Sequence, residues 1–496
     1  MRVNDNFGFK HKCGILLHVS SLPSRFGIGS FGAEAFDFID FLAETGQRCW
    51  QVLPLNPTSY GDSPYQSPAS LAGNPYFISL ELLHKEGLLS AGELEEAVFL
   101  GERVDYGFLF QTRFKVLRKA HARFVPSRAF SAFCKKNADW LEDYALFMAL
   151  KEKNAYSPWY EWGDFSDVGF AREHAEEFTV DCNFWKWVQF AFSSQWGKVL
   201  EYAHSKGVSV IGDMPIYVAH DSADVWCAPE QFLLDSAFSP VLVAGCPPDG
   251  FSPDGQLWGN PIYNWEKMRS DNFKWWKARV GRAFELFDIL RIDHFRGFAS
   301  FYAVPFGDDT ARRGEWLPAL GSELFASIRE AFPKAKIIAE DLGFITEDVR
   351  ELLKETGFPG MKNLQFAFFD EDSEFLPRTY TTDNCVVYTA SHDADCTESW
   401  FKDLSGETKK RFRKECPRKK GQSGTYALIA FAMNSLANLA MVPMQDYLRL
   451  ENHEARMNVP SVPDGNWQWR MKKNYNRKSV RDRILSLCRE TGRSAR

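Results

Sequence analysis

The chain has 496 residues, 45% apolar and 25% charged, with a formal net charge of −6. These are the proportions of an ordinary globular protein, and with a pI near 6.0 they exclude the concentrated basic face of a nucleic-acid binder. The ten cysteines form no repeated CxxC pair, and residues 1–18 carry Arg2, Asp5, Lys10 and Lys12 with no apolar run behind them, so a reducing cytoplasm is the expected setting.

In chain order, eight short apolar or β-branched runs read as buried strands: residues 13–19, 48–54, 208–216, 289–295, 336–343, 363–368, 385–393 and 439–448. Between 54 and 208 lies a long insertion, given the bounds 55–207. Its start is a Pro-, Ser- and Tyr-rich ordered loop, and the rest is helical by pattern. A second insertion, 217–288, contains the Gly- and Pro-dense stretch 245–264, which reads as a loop bordering a substrate cleft. Beyond it, helical patterns at 321–332 and 346–356 separate the runs. Strand alternating with helix implies parallel pairing, and eight strands predict an α/β fold of the (β/α)8 barrel type, a single catalytic barrel over 1–496 with large insertions after its strands. The basic run 409–420 reads as a solvated helix and turn. The longest uncharged stretch, 421–445, is broken by Asn434, Ser435, Asn438 and Pro443. It predicts a buried helix entering a strand and no membrane span.

Acidic residues recur at the C-terminal ends of these runs: Asp213, Asp293, Glu340 with Asp341, and Asp393. A carboxylate at the end of a buried strand is costly unless it is paired or used. Arg291 stands two residues before Asp293 and therefore on the same face of the strand, where its charge favours an ionised carboxylate. Asp293 and Glu340 fall on neighbouring strands, and strands lie about 4.7–4.9 Å apart. Retaining glycoside chemistry needs two carboxyl groups roughly 5–5.5 Å apart, one charged and one protonated. The assignment is Asp293 as nucleophile and Glu340 as acid/base, with Asp341 directed to the other side of the strand.

At these residues the sequence resembles the 4-α-glucanotransferases, the amylomaltases or disproportionating enzymes. The resemblance runs through Tyr60-Gly61-Asp62-Ser63-Pro64-Tyr65-Gln66-Ser67, Gly212-Asp213-Met214-Pro215, Gly255-Gln256-Leu257-Trp258-Gly259-Asn260-Pro261, Arg291-Ile292-Asp293-His294-Phe295-Arg296-Gly297, Ala339-Glu340-Asp341-Leu342-Gly343, Ser391-His392-Asp393 and Ala455-Arg456-Met457-Asn458. It implies that Asp293, Glu340 and Asp393 are catalytic. Asp213, Arg291, His294 and His392 would lie around the cleaved bond, and Tyr60, Trp258 and Asp370 would contact the glucan. It further implies transfer of α-1,4-glucan segments from maltodextrin, glycogen or starch-type donors to glucose or another glucan, without metal or organic cofactor. An α-glucan hydrolase with the same residues is the alternative. Two positions depart from the family pattern: Ala394 replaces an amide after His392-Asp393, and Gly250 replaces an aromatic in the Pro-rich loop.

Overall fold

The computed structural model describes residues 10–59, 61–248, 252–460 and 462–493. Tyr60, Gly250 and residues 1–9, on which sequence expectations fall, lie outside the described residues. Twelve strands follow one another as β1 Lys12–Leu16, β2 Cys49–Gln51, β3 Ser209–Met214, β4 Leu242–Cys246, β5 Gln256–Pro261, β6 Ile289–Ile292, β7 Ser300–Pro305, β8 Glu315–Pro318, β9 Ile337–Ala339, β10 Gly360–Asn363, β11 Cys385–Tyr388 and β12 Leu439–Pro443. Eight of them close a parallel barrel in the order β1-β12-β11-β10-β9-β6-β3-β2, which is the expected fold class.

The barrel interior is a packed layer, not a channel. Ile211, Ile289, Ile338, Val386, Tyr388 and Met441 fill it, each fully buried or nearly so. Inward side chains come from alternate residues along each strand, so branched aliphatics at every second position are what such a core requires. Where β1 runs close to β2 and Met441 the strand carries Gly14. A Cβ there would lie 2.6 Å from the Cys49 Cβ and carbonyl oxygen and 2.8 Å from the Met441 sulfur.

Two expectations are corrected. The sixth barrel strand is Gly360–Asn363, not 363–368. The Asn363 side chain accepts a hydrogen bond from the Gln365 N–H at 3.1 Å, which turns Leu364–Phe366 into a 3-10 helix. The stretch 245–264 is not simply a loop either. It contributes β5 and the end of β4 to a four-stranded antiparallel sheet of order β5-β4-β7-β8, completed by strands that follow β6.

Between β2 and β3 the chain is mainly helical. The helix Thr179–Ser205 buries Trp185, Trp187, Phe192 and Trp196, and uses two buried glutamines as peptide mimics. Gln189 accepts from the Gly73 N–H at 2.7 Å and donates to the Gly73 carbonyl at 2.9 Å. Gln195 does the same for Ser79, at 2.7 and 3.3 Å. These clamps satisfy buried backbone groups of the segment after β2, and they fix the far end of the loop that carries Tyr65 and Gln66.

Candidate active site

The barrel ladder continues for one residue past β6 and β9. The Asp293 N–H donates to the Met214 carbonyl at 3.0 Å, and the Glu340 N–H donates to the Ile292 carbonyl at 3.0 Å. Since Ile292 pairs with Ala339, Asp293 and Glu340 follow in step at the C-terminal mouth. Asp213 on β3 pairs in register with Arg291 on β6, which sets the ion pair between them.

Arg291 is the charge centre. Its Nη1 lies 2.7 Å from both Asp213 oxygens and 3.0 Å from Asp293 Oδ1, and its Nε donates to the Met361 sulfur at 3.2 Å. Asp213 is further held by the Tyr65 hydroxyl, which donates to Oδ2 at 2.7 Å. Asp213 is wholly enclosed, whereas 26% of the Asp293 side chain remains exposed to the mouth. The guanidinium is therefore shared between two carboxylates. Burial raises the Asp293 pKa to about 6 and Arg291 works against that rise. Arg291 favours the charged form, as the sequence suggests, but burial outweighs it and the net shift of Asp293 is upward.

Glu340 stands in a more negative place. Burial, followed by the charge of Asp293, pushes its pKa to about 7. Its Oε2 accepts from the His294 N–H at 2.7 Å and its Oε1 from the Leu342 N–H at 2.8 Å. The first of these depends on His294 adopting φ 49°, a left-handed conformation that a non-glycine residue adopts at some cost. Burial also depresses the His294 imidazole to about 4, so it is neutral near pH 7. Asp341 turns away as expected: its Oδ1 accepts from the Met361 N–H at 2.6 Å on the neighbouring strand.

Asp393 has the opposite character. Burial opposes its charge, yet His392 at 3.3 Å and the Asn458 amide at 2.7 Å bring its pKa down to about 2. His392 is raised in turn: burial lowers it, but the charge of Asp393 and the hydrogen bond to it together outweigh burial. The Tyr65 ring stacks on His392 with centroids 5.1 Å apart and planes 12° apart. One aromatic residue thus touches both Asp213 and His392.

Of the glucan-contact residues, Trp258 packs edge-on against His294 at 4.9 Å, so it belongs to the mouth. Asp370 lies on the exposed turn after β10, where it accepts from the Asp372 N–H at 3.5 Å. Among the described residues it makes no contact with the three carboxylates. Tyr65 and Asn458 lie within motifs that resemble the family's, but the sequence gives neither of them a partner and so does not mark them as site residues. Ala394 borders a cavity of about 30 Å³ beneath His392.

Residues 17–476 match the family model described as 4-alpha-glucanotransferase. A 4-alpha-glucanotransferase of Clostridium butyricum is 44% identical over 489 residues, covering 96% of this chain and 100% of that protein. The chain belongs to the 4-alpha-glucanotransferase family. The likeness extends to the 4-alpha-glucanotransferase of Thermus thermophilus, 44% identical with 92% and 94% of the two chains covered. Among solved structures, an amylomaltase from Streptococcus agalactiae in complex with acarbose superposes with a TM-score of 0.94 at 39% identity, covering 98% of this chain and all of that one. An amylomaltase from Corynebacterium glutamicum, at 16% identity and a TM-score of 0.77, shares the fold over 96% of this chain and 75% of its own. The protein is accordingly a glycosyl-transferring enzyme, and the hydrolase alternative is not favoured.

Proposed function

We propose that Asp293 attacks the anomeric carbon of an α-1,4-glucan while Glu340 protonates the leaving oxygen. The C1–O bond breaks, the released glucan keeps the proton from Glu340, and a bond forms between C1 and an Asp293 carboxylate oxygen. The 4-hydroxyl of glucose or of another glucan then gives its proton to Glu340 and attacks C1, which frees Asp293. Two inversions restore the α-configuration. Asp393, with its charge fixed by His392 and Asn458, accepts hydrogen bonds from the sugar hydroxyls and balances the cationic transition state. Asp213 and Arg291 orient Asp293. His294, His392, Trp258, Tyr60 and Asp370 are assigned to glucan contact.

The observation that carries this reading is the division of charge: one carboxylate beside a guanidinium, a second in step on the next strand with a higher pKa, and a third held ionised. Donors are maltodextrins and glycogen- or starch-type glucans. The related Streptococcus agalactiae amylomaltase was solved with acarbose, which supports a glucan cleft here. Segments 55–207 and 217–288 are proposed as its walls on a single catalytic barrel. A cytoplasmic setting is supported by ten free cysteines. Among the described residues no helix is long and apolar enough to cross a membrane.

Maltotriose tests the assignment. The parent protein is expected to yield glucose and a ladder of longer maltodextrins, and Asp293→Asn to lose more than about 10³-fold of that rate. A ladder formed by Asp293→Asn at the parental rate would show that another group is the nucleophile, and simple hydrolysis products from the parent would show that water is the acceptor.

A further inference from the structure

Asp293 and Glu340 stand at the ends of barrel strands, but Asp393 does not. It lies in the turns and bends between β11 and the helix Thr397–Asp403, where no ladder of backbone hydrogen bonds fixes it. What holds this loop is a second segment, residues 452–458, laid against it. The Asn458 N–H donates to the His392 carbonyl at 3.2 Å, and the Asn458 side chain donates to Asp393 Oδ1 at 2.7 Å. Asn452 accepts from the Cys396 N–H at 2.8 Å and donates to Asp395 Oδ1 at 2.7 Å.

Arg456 sits at the centre of this lacing. Its Nη1 donates to the Asp395 carboxylate, its Nη2 to the Asp393 carbonyl at 3.1 Å, and its Nε to the Asn458 carbonyl at 3.0 Å. All three nitrogens of one planar group are therefore engaged. One grips the residue that bears the third carboxylate, one grips the residue that donates to that carboxylate, and one is anchored on a counter-ion two positions further on. Asp395 is braced in turn by the buried Gln365, whose Nε2 donates to its carbonyl at 2.8 Å. Ala394, between the two aspartates, brings no polar side chain to the loop. A guanidinium suits this task because its donors point in fixed directions, whereas a lysine is a point charge on a flexible stem.

We propose that Arg456 is a positioning residue for the transfer reaction. It locks the main chain at Asp393 to the main chain at Asn458, and so sets the direction in which the Asp393 carboxylate meets the sugar. The inference rests on the reading in which Asp393 balances the cationic transition state, and it names the group that keeps Asp393 aimed. Arg456 acts through Asp393 and Asn458 and is given no part in proton transfer or in bonding to C1.

The test is maltotriose kinetics of Arg456→Ala and Arg456→Lys. A misplacement of about 1 Å can cost about 10²-fold in rate, and a loss of that order is expected in kcat for Arg456→Ala. KM should change far less, because the contact strengthened by correct aim is made in the transition state. Millimolar guanidinium should restore part of the lost rate, and Arg456→Lys should recover little of it, since one ammonium cannot bridge three acceptors. In an Asp393→Asn background, Arg456→Ala should cost almost nothing more, because the group it aims is already gone. A parental kcat in Arg456→Ala or Arg456→Lys would overturn the proposal. So would a loss that adds in full to that of Asp393→Asn, or one that follows a fall in Tm and is not rescued by guanidinium. Asp393→Asn working at the parental rate would instead overturn the catalytic reading itself.

Discussion

Asp293 and Glu340 are both carboxyl groups at strand ends, and their surroundings divide the work between them. Arg291 at 3.0 Å favours the charged form of Asp293, while Glu340 feels the charge of Asp293 and receives only backbone N–H bonds. Both are pushed upward by burial, Asp293 to about 6 and Glu340 to about 7, and they titrate as a pair in two macroscopic steps. The proposed mechanism requires Asp293 without its proton and Glu340 with one. The rate is expected to fall below about pH 6 as Asp293 is protonated and above about pH 7 as Glu340 ionises, giving a narrow bell in kcat/KM. Arg291→Gln removes the group that opposes protonation of Asp293 and should move the acid limb to higher pH. An acid limb that stays in place would show that Arg291 does not set the ionisation of Asp293. The positions of Asp293, Glu340 and Asp393 at strand ends around the barrel mouth were legible in the sequence, because a carboxylate at the end of a buried run is costly unless it is paired or used. The sharing of Arg291 between Asp213 and Asp293 was not legible, because it depends on the register between β3 and β6.

At the level of elements, the loop between β2 and the helical insertion carries more of the site than its composition suggests. Tyr65 spends its hydroxyl on Asp213 and its ring on His392. Tyr65→Phe keeps the ring and leaves Asp213 Oδ2 with the Arg291 guanidinium as its remaining donor, a loss of about 1.5–3 kcal/mol for a bond to a charged group. The expected result is a fall in kcat/KM of about tenfold or more with Tm little changed, read from maltotriose kinetics; an unchanged kcat/KM would remove Tyr65 from the positioning of Asp213. In the barrel wall, Gly14→Ala places a methyl group 2.6 Å from the backbone oxygen of Cys49, which cannot rotate aside. Destabilisation of about 1–3 kcal/mol is expected from overpacking, measured as a shifted denaturation midpoint. The elements that the sequence misplaced have local causes. Gly360–Asn363 is short and contains a lysine, while the apolar alternation just after it belongs to a turn capped by the Asn363 side chain. The strands β4 and β5 are hidden by glycine and proline, and β4 finds its other partner, β7, only beyond β6.

The molecule as a whole combines a closed sheet with two long segments that follow β2 and β3, proposed above as the walls of the cleft. The barrel fixes where the carboxylates stand, because parallel strands in register bring Asp213, Arg291, Asp293 and Glu340 together without help from the loops. On the proposed arrangement the insertions limit what reaches them, and the loop through Tyr65 and Gln66 joins barrel and insertion through Asp213 and Asn260. The most direct test of this arrangement traps the covalent intermediate. In Glu340→Gln the proton donor is gone, but α-maltotriosyl fluoride carries a leaving group that needs no proton, so the first displacement proceeds and the second stalls. Mass spectrometry of the digested protein should find the glycosyl group on the peptide containing Asp293, attached to that side chain. A glycosyl group on Asp213 or Asp393, or release of product with inverted configuration and no adduct, would contradict the account.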